Sequence, residues 1–360
     1  SIVALKDFMR NLGSTNIECR QDGAQFDAAE PCGWRFNTTI SGIEKADVIL
    51  LVGTNPRTEA ALINARIRKT WLARRIKVGV IGPQIDLNYP YKYLGAGPET
   101  LEELAKGKGG FADILSKAQN PMLILGPGAV SRDDGMEVHA LARKVAEKFN
   151  MVKEGWNGFN LLHTQASRVG ALELGFTGGD LDKMLKGDVL YLLGADEIPV
   201  NSIGKDTFVI YQGHHGDKAA ARADVILPGS AYTEKNSIYV NNEGRPQAAK
   251  QAVFPPGEAR EDWKIIRALS EVMGKALPYN DLAEVRARLV EANPVFGAID
   301  AIKPAAWKPF GKDGDCDKSP FALLISNFYM TDPISRASKV MAECTEAFLQ
   351  DKKGKTGTHG

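Results

Sequence analysis

Two five-residue runs, Val48-Ile-Leu-Leu-Val52 and Val189-Leu-Tyr-Leu-Leu193, carry no charged position and no turn residue. A strand that is apolar at every position must be covered on both faces, as in a parallel sheet with helices above and below. Further strand candidates lie at Lys77–Ile81, Met122–Leu125, Phe208–Tyr211 and Val225–Leu227. Helix-period segments alternate with them, at Glu59–Arg74, Leu101–Ala105, Asp133–Phe149, Ser167–Leu174 and Asp180–Lys186. This alternation predicts an α/β fold, doubly wound on mostly parallel sheets. Asp47 precedes the first run and Gly53-Thr-Asn-Pro56 follows it; Asp188 and Gly194-Ala-Asp196 frame the fourth in the same way. The repetition suggests two nucleotide-fold halves, divided near 120–160.

Beyond Gly257 the pattern changes. Ala259–Met273 and Leu282–Ala292 read as amphipathic helices, and Pro294–Pro320, rich in Pro, Gly and charge, as an irregular linker. Asp332-Pro333 has N-cap and first-turn chemistry for a last helix over Pro333–Leu349, and Lys352–Gly360 reads as a frayed tail. The expected organisation is an α/β region over 1–275 and a linker with a helical extension over 276–360.

The chain has 44% hydrophobic and 25% charged residues and a formal net charge of +1, so no global field argues for nucleic acid or an anionic surface. No apolar run approaches the roughly 18 residues that span a bilayer, so work at a membrane would depend on partners. Ser1 in place of Met suggests a processed or partial product.

Candidate sites are few. Cys19, Cys32, Cys316 and Cys344 are too dispersed for an iron–sulfur or structural zinc motif. Gly53-Thr54-Asn55-Pro56-Arg57 ends a strand and caps a helix, where free backbone N–H groups could receive a phosphate or pterin pyrophosphate; every strand–helix turn needs such a cap as well. Seven basic residues (Arg57, Arg66, Arg68, Lys69, Arg74, Arg75, Lys77) stand against Glu59 alone between 57 and 77. They could dock an acidic partner or form a solvated face. His214-His215 reads as a loop pair rather than a metal site, because adjacent side chains on extended backbone diverge and no further ligand is near.

The segment Tyr211–Gln247 holds a strand, a Gly-Ser turn and the phrase Val240-Asn-Asn-Glu-Gly-Arg-Pro-Gln247. Together these resemble the pterin-cradling region of molybdopterin oxidoreductases. Val48–Arg57, Asn64–Lys69, Ile210–Asp217, Ala223–Gly229, Tyr232–Lys235, Glu261–Glu271 and Phe328–Ser338 resemble, in order, the 75 kDa iron–sulfur subunit family of respiratory complex I. The resemblance implies sheets of the molybdopterin oxidoreductase type and a place in the matrix arm. It implies 2Fe-2S and 4Fe-4S clusters only in a cysteine-rich portion that has no counterpart here. Gly53, Thr54, Asn55, Asn241, Glu243 and Arg245 fall where the pterin would lie, as a vestigial site. Glu243 and Arg245 equally suit a structural ion pair about Gly244. No cysteine falls in a molybdenum-ligating loop, so no catalytic residue, metal ligand or cofactor is expected in this segment. The implied role is scaffolding beside other matrix-arm subunits, on the matrix side of the mitochondrial inner membrane or the edge of a bacterial cytoplasmic membrane. The alternatives are a molybdopterin-dependent oxidoreductase and a nucleotide-binding regulatory domain.

Overall fold

The computed structural model describes residues 1–350. Strands β1 (Val48–Val52), β2 (Lys77–Ile81), β3 (Lys92–Gly95), β4 (Pro121–Leu125) and β5 (Phe159–Leu161) form an all-parallel sheet in the order β3-β2-β1-β4-β5. Because side chains alternate across a strand, β1 divides between two cores. Val48, Leu50 and Val52 enter one with Leu123 and Leu125, while Ile49 and Leu51 enter the other with Met122 and Ile124. Helix Ala61–Arg74 covers the second core through Ile63 and Ile67, and helices Pro98–Ala105 and Gly135–Lys148 cover the first. Each fully buried Leu or Ile contributes about 2 kcal/mol, so the all-apolar β1 is among the most stabilising segments of the chain.

A second parallel sheet, β6 (Val189–Leu193), β7 (Phe208–Gly213) and β8 (Val225–Pro228), has the order β8-β7-β6. Leu190, Leu192, Val209 and Tyr211 pack with Ala219 and Ala220 on one face. On the other face Tyr191 and Leu193 lean on the main core, whereas Val189, Phe208 and Val225 stay exposed. Burial on both faces, expected for these runs, therefore holds for the first sheet and not for the whole of the second. An apolar run reports only that a surface is available to be covered.

A hairpin, β9 (Ser237–Val240) with β10 (Pro246–Ala249), follows and turns at Asn241–Arg245. Helices Ile2–Asn11, Asp262–Val272 and Leu282–Ala292 pack together beside it. The helix expected from Glu59 breaks at Ala60, whose φ is −151°, into Pro56–Glu59 and Ala61–Arg74. The expected final helix is also interrupted, running Pro333–Ala337 and then Lys339–Thr345, with Ser338 capping the second piece by accepting from Met341 N. Asp332 caps the first piece as its chemistry demands, accepting from Ile334 N and Ser335 N. The expected tail at 352–360 lies outside the described residues.

Residues 301–327 carry no helix or strand, yet they are anchored. Trp307, Phe310 and Phe321 join the core beneath the first sheet, and Arg35 donates to Lys303 O at 2.8 Å. Gly311 N donates to Asp27 Oδ2 at 3.0 Å. The stretch is a strap held in the core.

Candidate functional site

In a sheet of order β3-β2-β1-β4-β5 the chain reverses direction between β1 and β4, and open α/β sheets bind ligands outside the carboxyl ends of the strands at such a point. Gly53-Thr54-Asn55 leaves β1 there, and Gly126-Pro127-Gly128 leaves β4. The second turn has the same small-residue signature as the first and went unread in the sequence. The two turns touch. Gly128 N donates to Gly53 O at 3.1 Å, and Gly126 N donates to Val52 O at 2.8 Å. A Cβ added at Gly126 would lie 2.2 Å from Thr54 Cβ, so no ligand atom fits between them.

Several donors of the first turn are already engaged. Thr54 Oγ1 donates to Glu59 Oε2, and Asn55 N reaches the same oxygen at 3.2 Å. Asn55 Oδ1 accepts from Arg57 N at 3.2 Å. Burial raises the Glu59 carboxyl above its usual range, with the Thr54 hydroxyl opposing. A protein carboxylate thus takes the place an incoming phosphate would need.

The Asn241–Arg245 turn is equally self-contained. Asn241 Oδ1 accepts from Glu243 N at 3.0 Å and Arg245 N at 3.1 Å, and its amide donates to Glu243 Oε2 at 3.1 Å. Glu243, 6% exposed, also accepts from Ile40 N at 2.6 Å and from Arg245 Nε at 3.2 Å. Gln247 lies on exposed β10. Among the described residues no hydrogen bond or ion pair joins Gly53, Thr54 or Asn55 to Asn241, Glu243 or Arg245. Buried polar groups must be paired, and here the hairpin and the loop at Arg35–Ile40 pair them.

The carboxyl ends of β6 and β7 differ. A pocket of about 290 Å³ opens there, lined by Gly194, Gly213, His214, Lys235, Asp262 and Trp263 among others. Part of its polar wall is paired: fully buried Gln212 donates to Asp262 Oδ1 at 3.1 Å, Tyr191 donates to Gln212, and Lys235 bridges to Asp262, while the buried Trp263 Nε1 has no partner among the described residues. None of the four cysteines lines it.

His214 and His215 face each other, Nδ1 to Nδ1, at 2.9 Å. Among the described residues no group of three or more His, Cys, Asp or Glu is placed to hold a metal ion. Burial pushes the Cys19 thiol up to about 12 and the Cys316 thiol up to about 11, and raises Cys32 as well. Thiols held protonated are poor ligands and nucleophiles. Two histidines missed in the sequence, His139 and His163, are buried in the first unit. Burial lowers them to about 4 and about 3, and their Nε2 atoms bond to Gly33 O (2.8 Å) and Trp34 O (2.7 Å). They are neutral packing groups.

Two carboxylates outside the basic stretch, Asp86 and Glu44, offset part of its excess. Arg57 pairs with Asp86, Arg66 and Lys69 pair with Glu44, Arg74 donates to the Glu44 carbonyl, and Arg75 stacks on Trp71. Among the described residues, no ion pair engages Arg68 or Lys77.

Comparison with known proteins agrees with this architecture. The family model described as molybdopterin oxidoreductase matches residues 1–272. The chain belongs to the molybdopterin oxidoreductase family. A second model, for the C-terminal part of an NADH-ubiquinone oxidoreductase subunit, matches residues 301–344. The chain is a homologue of the complex I 75/78 kDa subunit. It is 46% identical over 96% of its length to NADH dehydrogenase [ubiquinone] iron-sulfur protein 1, mitochondrial, of Solanum tuberosum, and covers 47% of that protein. Against the mitochondrial NADH-ubiquinone oxidoreductase 78 kDa subunit of Neurospora crassa the identity is 43%, over 96% of this chain and 48% of the relative. Against an NADH-quinone oxidoreductase subunit of Rickettsia bellii it is 41%, over 95% and 50%. The chain thus spans about half the length of these relatives. The solved structure of acetylene hydratase from Pelobacter acetylenicus overlaps it with a TM-score of 0.49 at 14% identity, over 82% of this chain and 56% of that one.

A molybdopterin group, which the family name implies, does not fit the turns that the sequence suggests for it. The β1/β4 crevice is closed, Glu59 holds the Thr54 hydroxyl and Asn55 N, and the Asn241–Arg245 groups bond one another.

Proposed function

We propose that this chain is the non-redox scaffold portion of the large subunit of proton-translocating NADH:ubiquinone oxidoreductase. Electrons from NADH pass to quinone through 2Fe-2S and 4Fe-4S clusters carried elsewhere in the subunit and complex, and this portion holds the cluster-bearing part and neighbouring matrix-arm subunits in register. One observation carries the reading: 41–46% identity to complex I subunits across nearly the whole chain, in a segment whose inherited ligand crevice is closed. Rigid support matters because catalytic and binding geometry tolerates displacements of only about 0.5 Å. We divide the chain into a region over 1–275 and an extension over 276–360, and the ranges of the two family matches, 1–272 and 301–344, support that division. The place of work is the matrix side of the mitochondrial inner membrane, or the cytoplasmic edge of a bacterial membrane. Among the described residues no helix is long and apolar enough to cross a membrane, so partners provide the attachment. Gly53, Thr54, Asn55, Asn241, Glu243 and Arg245 are remnants of the cofactor cradle, retained for packing and mutual hydrogen bonding.

Elemental analysis of the purified full-length subunit tests this reading. Iron is expected in cluster stoichiometry, with molybdenum and tungsten far below one atom per chain. Stoichiometric molybdenum or tungsten would overturn the scaffold reading in favour of a molybdopterin oxidoreductase.

A further inference from the structure

The crevice at the β1/β4 reversal is closed from below by its own turns, and another part of the chain covers it from above. Phe321 is 2% exposed, and its Cβ lies 3.9 Å from the position a Cβ would take at Gly82, past the end of β2. Phe321 N donates to Ala96 O at 2.9 Å, just beyond β3. A Cβ added at Gly128 would lie 1.8 Å from Ala322 O, and one at Gly97 would lie 3.0 Å from Ser319 O. Glycine at 128 is what admits the segment so close to the turn after β4. Arg132 clamps it from the side, donating to Ser319 O at 3.0 Å and Asp317 O at 2.9 Å, with its guanidinium 5.4 Å from the Phe321 ring centre. Asp317 N in turn donates to Asp134 Oδ2 at 2.7 Å, and Asp134 pairs with Arg132.

We propose that Asp317–Ala322 is the resident occupant of this crevice, a plug supplied in cis that seals the carboxyl ends of β1, β2 and β4 against nucleotide or pterin. Three features support a built fit rather than a passing contact. The phenylalanine is the buried tip. The backbone of the plug is bonded at both ends, through Arg132 at Asp317 and Ser319 and through Ala96 at Phe321. Gly128, facing it, leaves no room for a side chain of its own. The plug also falls outside the molybdopterin oxidoreductase match at 1–272 and inside the NADH-ubiquinone oxidoreductase match at 301–344. A segment matched only by the complex I model therefore fills the crevice that the oxidoreductase fold creates. This inference deepens the scaffold reading but stands on the crevice geometry. A failed plug and a redox-active metal would be separate results.

The test uses the full-length subunit in the assembled complex. Cys316→Ser removes the neighbouring thiol, and Gly97→Cys with Pro320→Cys places a pair in disulfide reach, since a Cβ at Gly97 lies 3.3 Å from Pro320 Cα. Cross-linking of most chains under mild oxidation, with NADH:quinone turnover unchanged, is expected. Assembled complexes that stay largely uncross-linked would overturn the plug. Hydrogen exchange gives a second reading without substitution. The Phe321 amide should be as protected as the amides of β1, and exchange at the rate of an exposed loop amide would overturn the proposal. GDP serves as the probe of closure. Addition of millimolar GDP should leave the Gly53–Asn55 amides unaffected, whereas new protection there with Phe321 still protected would show the crevice open beneath the segment. Gly128→Ala should lower Phe321 protection by at least about a hundredfold while β1 stays protected. If that variant does not fold, the cross-link and the unmodified protein decide.

Discussion

Gly53 and Gly194 occupy the same place in two successive strand–turn units and share a left-handed backbone, with φ of 58° and 59°. Around Gly53 a Cβ would meet Ala129 N at 2.6 Å; around Gly194 it would meet nothing within 4 Å. One strand-end motif has therefore produced a sealed crevice in the first unit and an open pocket of about 290 Å³ in the second. The difference lies in what the rest of the chain brings to each unit. The first receives the turn after β4 and the strap at 317–322, while the second receives the paired walls of Gln212, Lys235 and Asp262 and keeps its space.

The strap offers the strongest way to break this contrast. Phe310 is 2% exposed and its ring lies 4.4 Å from that of His139, so Phe310→Ala should cost about 3–5 kcal/mol in urea unfolding. Phe208→Ala, on the uncovered face of the second sheet, should change stability by less than about 0.5 kcal/mol. Equal losses at the two positions would mean that the second sheet is covered as fully as the first.

The glycine pair comes next. Gly53→Ala combines a left-handed penalty of about 1–2 kcal/mol with overpacking against Ala129, worth about 1–3 kcal/mol, for a total of about 3 kcal/mol. Gly194→Ala should show the backbone penalty alone, about 1–2 kcal/mol. Matching values from denaturation would refute the difference in packing.

Acid should weaken the first unit through its buried histidines. His139 and His163 titrate near 4 and 3 in the fold, below the ordinary 6.5. The unfolded chain therefore binds more protons in between, so stability is complete above pH 6.5 and falls as the pH drops toward 4. One unit corresponds to about 1.4 kcal/mol per group, and a loss of a few kcal/mol by pH 4 is an upper figure. The check is the slope of unfolding free energy against pH, with His139→Gln and His163→Gln combined. A slope that survives both substitutions would assign the acid sensitivity to other groups.

The smallest expected effect on stability lies on the basic helix. Arg68→Glu on the helix, with Lys77→Glu at the start of β2, should leave stability within about 0.5 kcal/mol, because both are exposed and without an ion pair among the described residues. If the helix docks an acidic neighbour, incorporation into the complex should fall severalfold; unchanged incorporation identifies a solvated face. Arg66 and Lys69 make poorer probes, since reversing them also breaks their bonds to Glu44.

Much of the framework was legible. The runs at 48–52, 77–81 and 189–193 coincide with strands, and Leu282–Ala292 with its helix, because continuous apolar sequence and clear caps leave little choice. Strands β3 and β5 and the β9–β10 hairpin escaped notice: Lys92-Tyr-Leu-Gly95 and Phe159-Asn-Leu161 are too short and mixed to signal by period. Pro294–Pro320 is largely irregular as read, but its anchoring in the core did not show, for a related reason. Irregular backbone has no periodicity, so Phe310 looked like any loop aromatic until the fold placed it on His139. At the candidate site, the Gly-Thr-Asn turn was visible, but the groups that neutralise it were not. Glu59 is near in sequence and was weighed only as a charge, while Gly126, Gly128 and Ala322 come from distant segments.

By itself, then, the sequence determined the α/β class, the parallel strands and the family, because these depend on local apolar runs and long ordered motifs. Tertiary structure alone decided that Gly53 lies in a filled crevice and Gly194 beside an open one, that Asp86 and Glu44 meet the basic stretch, and that the strap belongs to the core. Those outcomes depend on which distant segments meet. Close packing is a property of the assembled chain that no single stretch of residues carries.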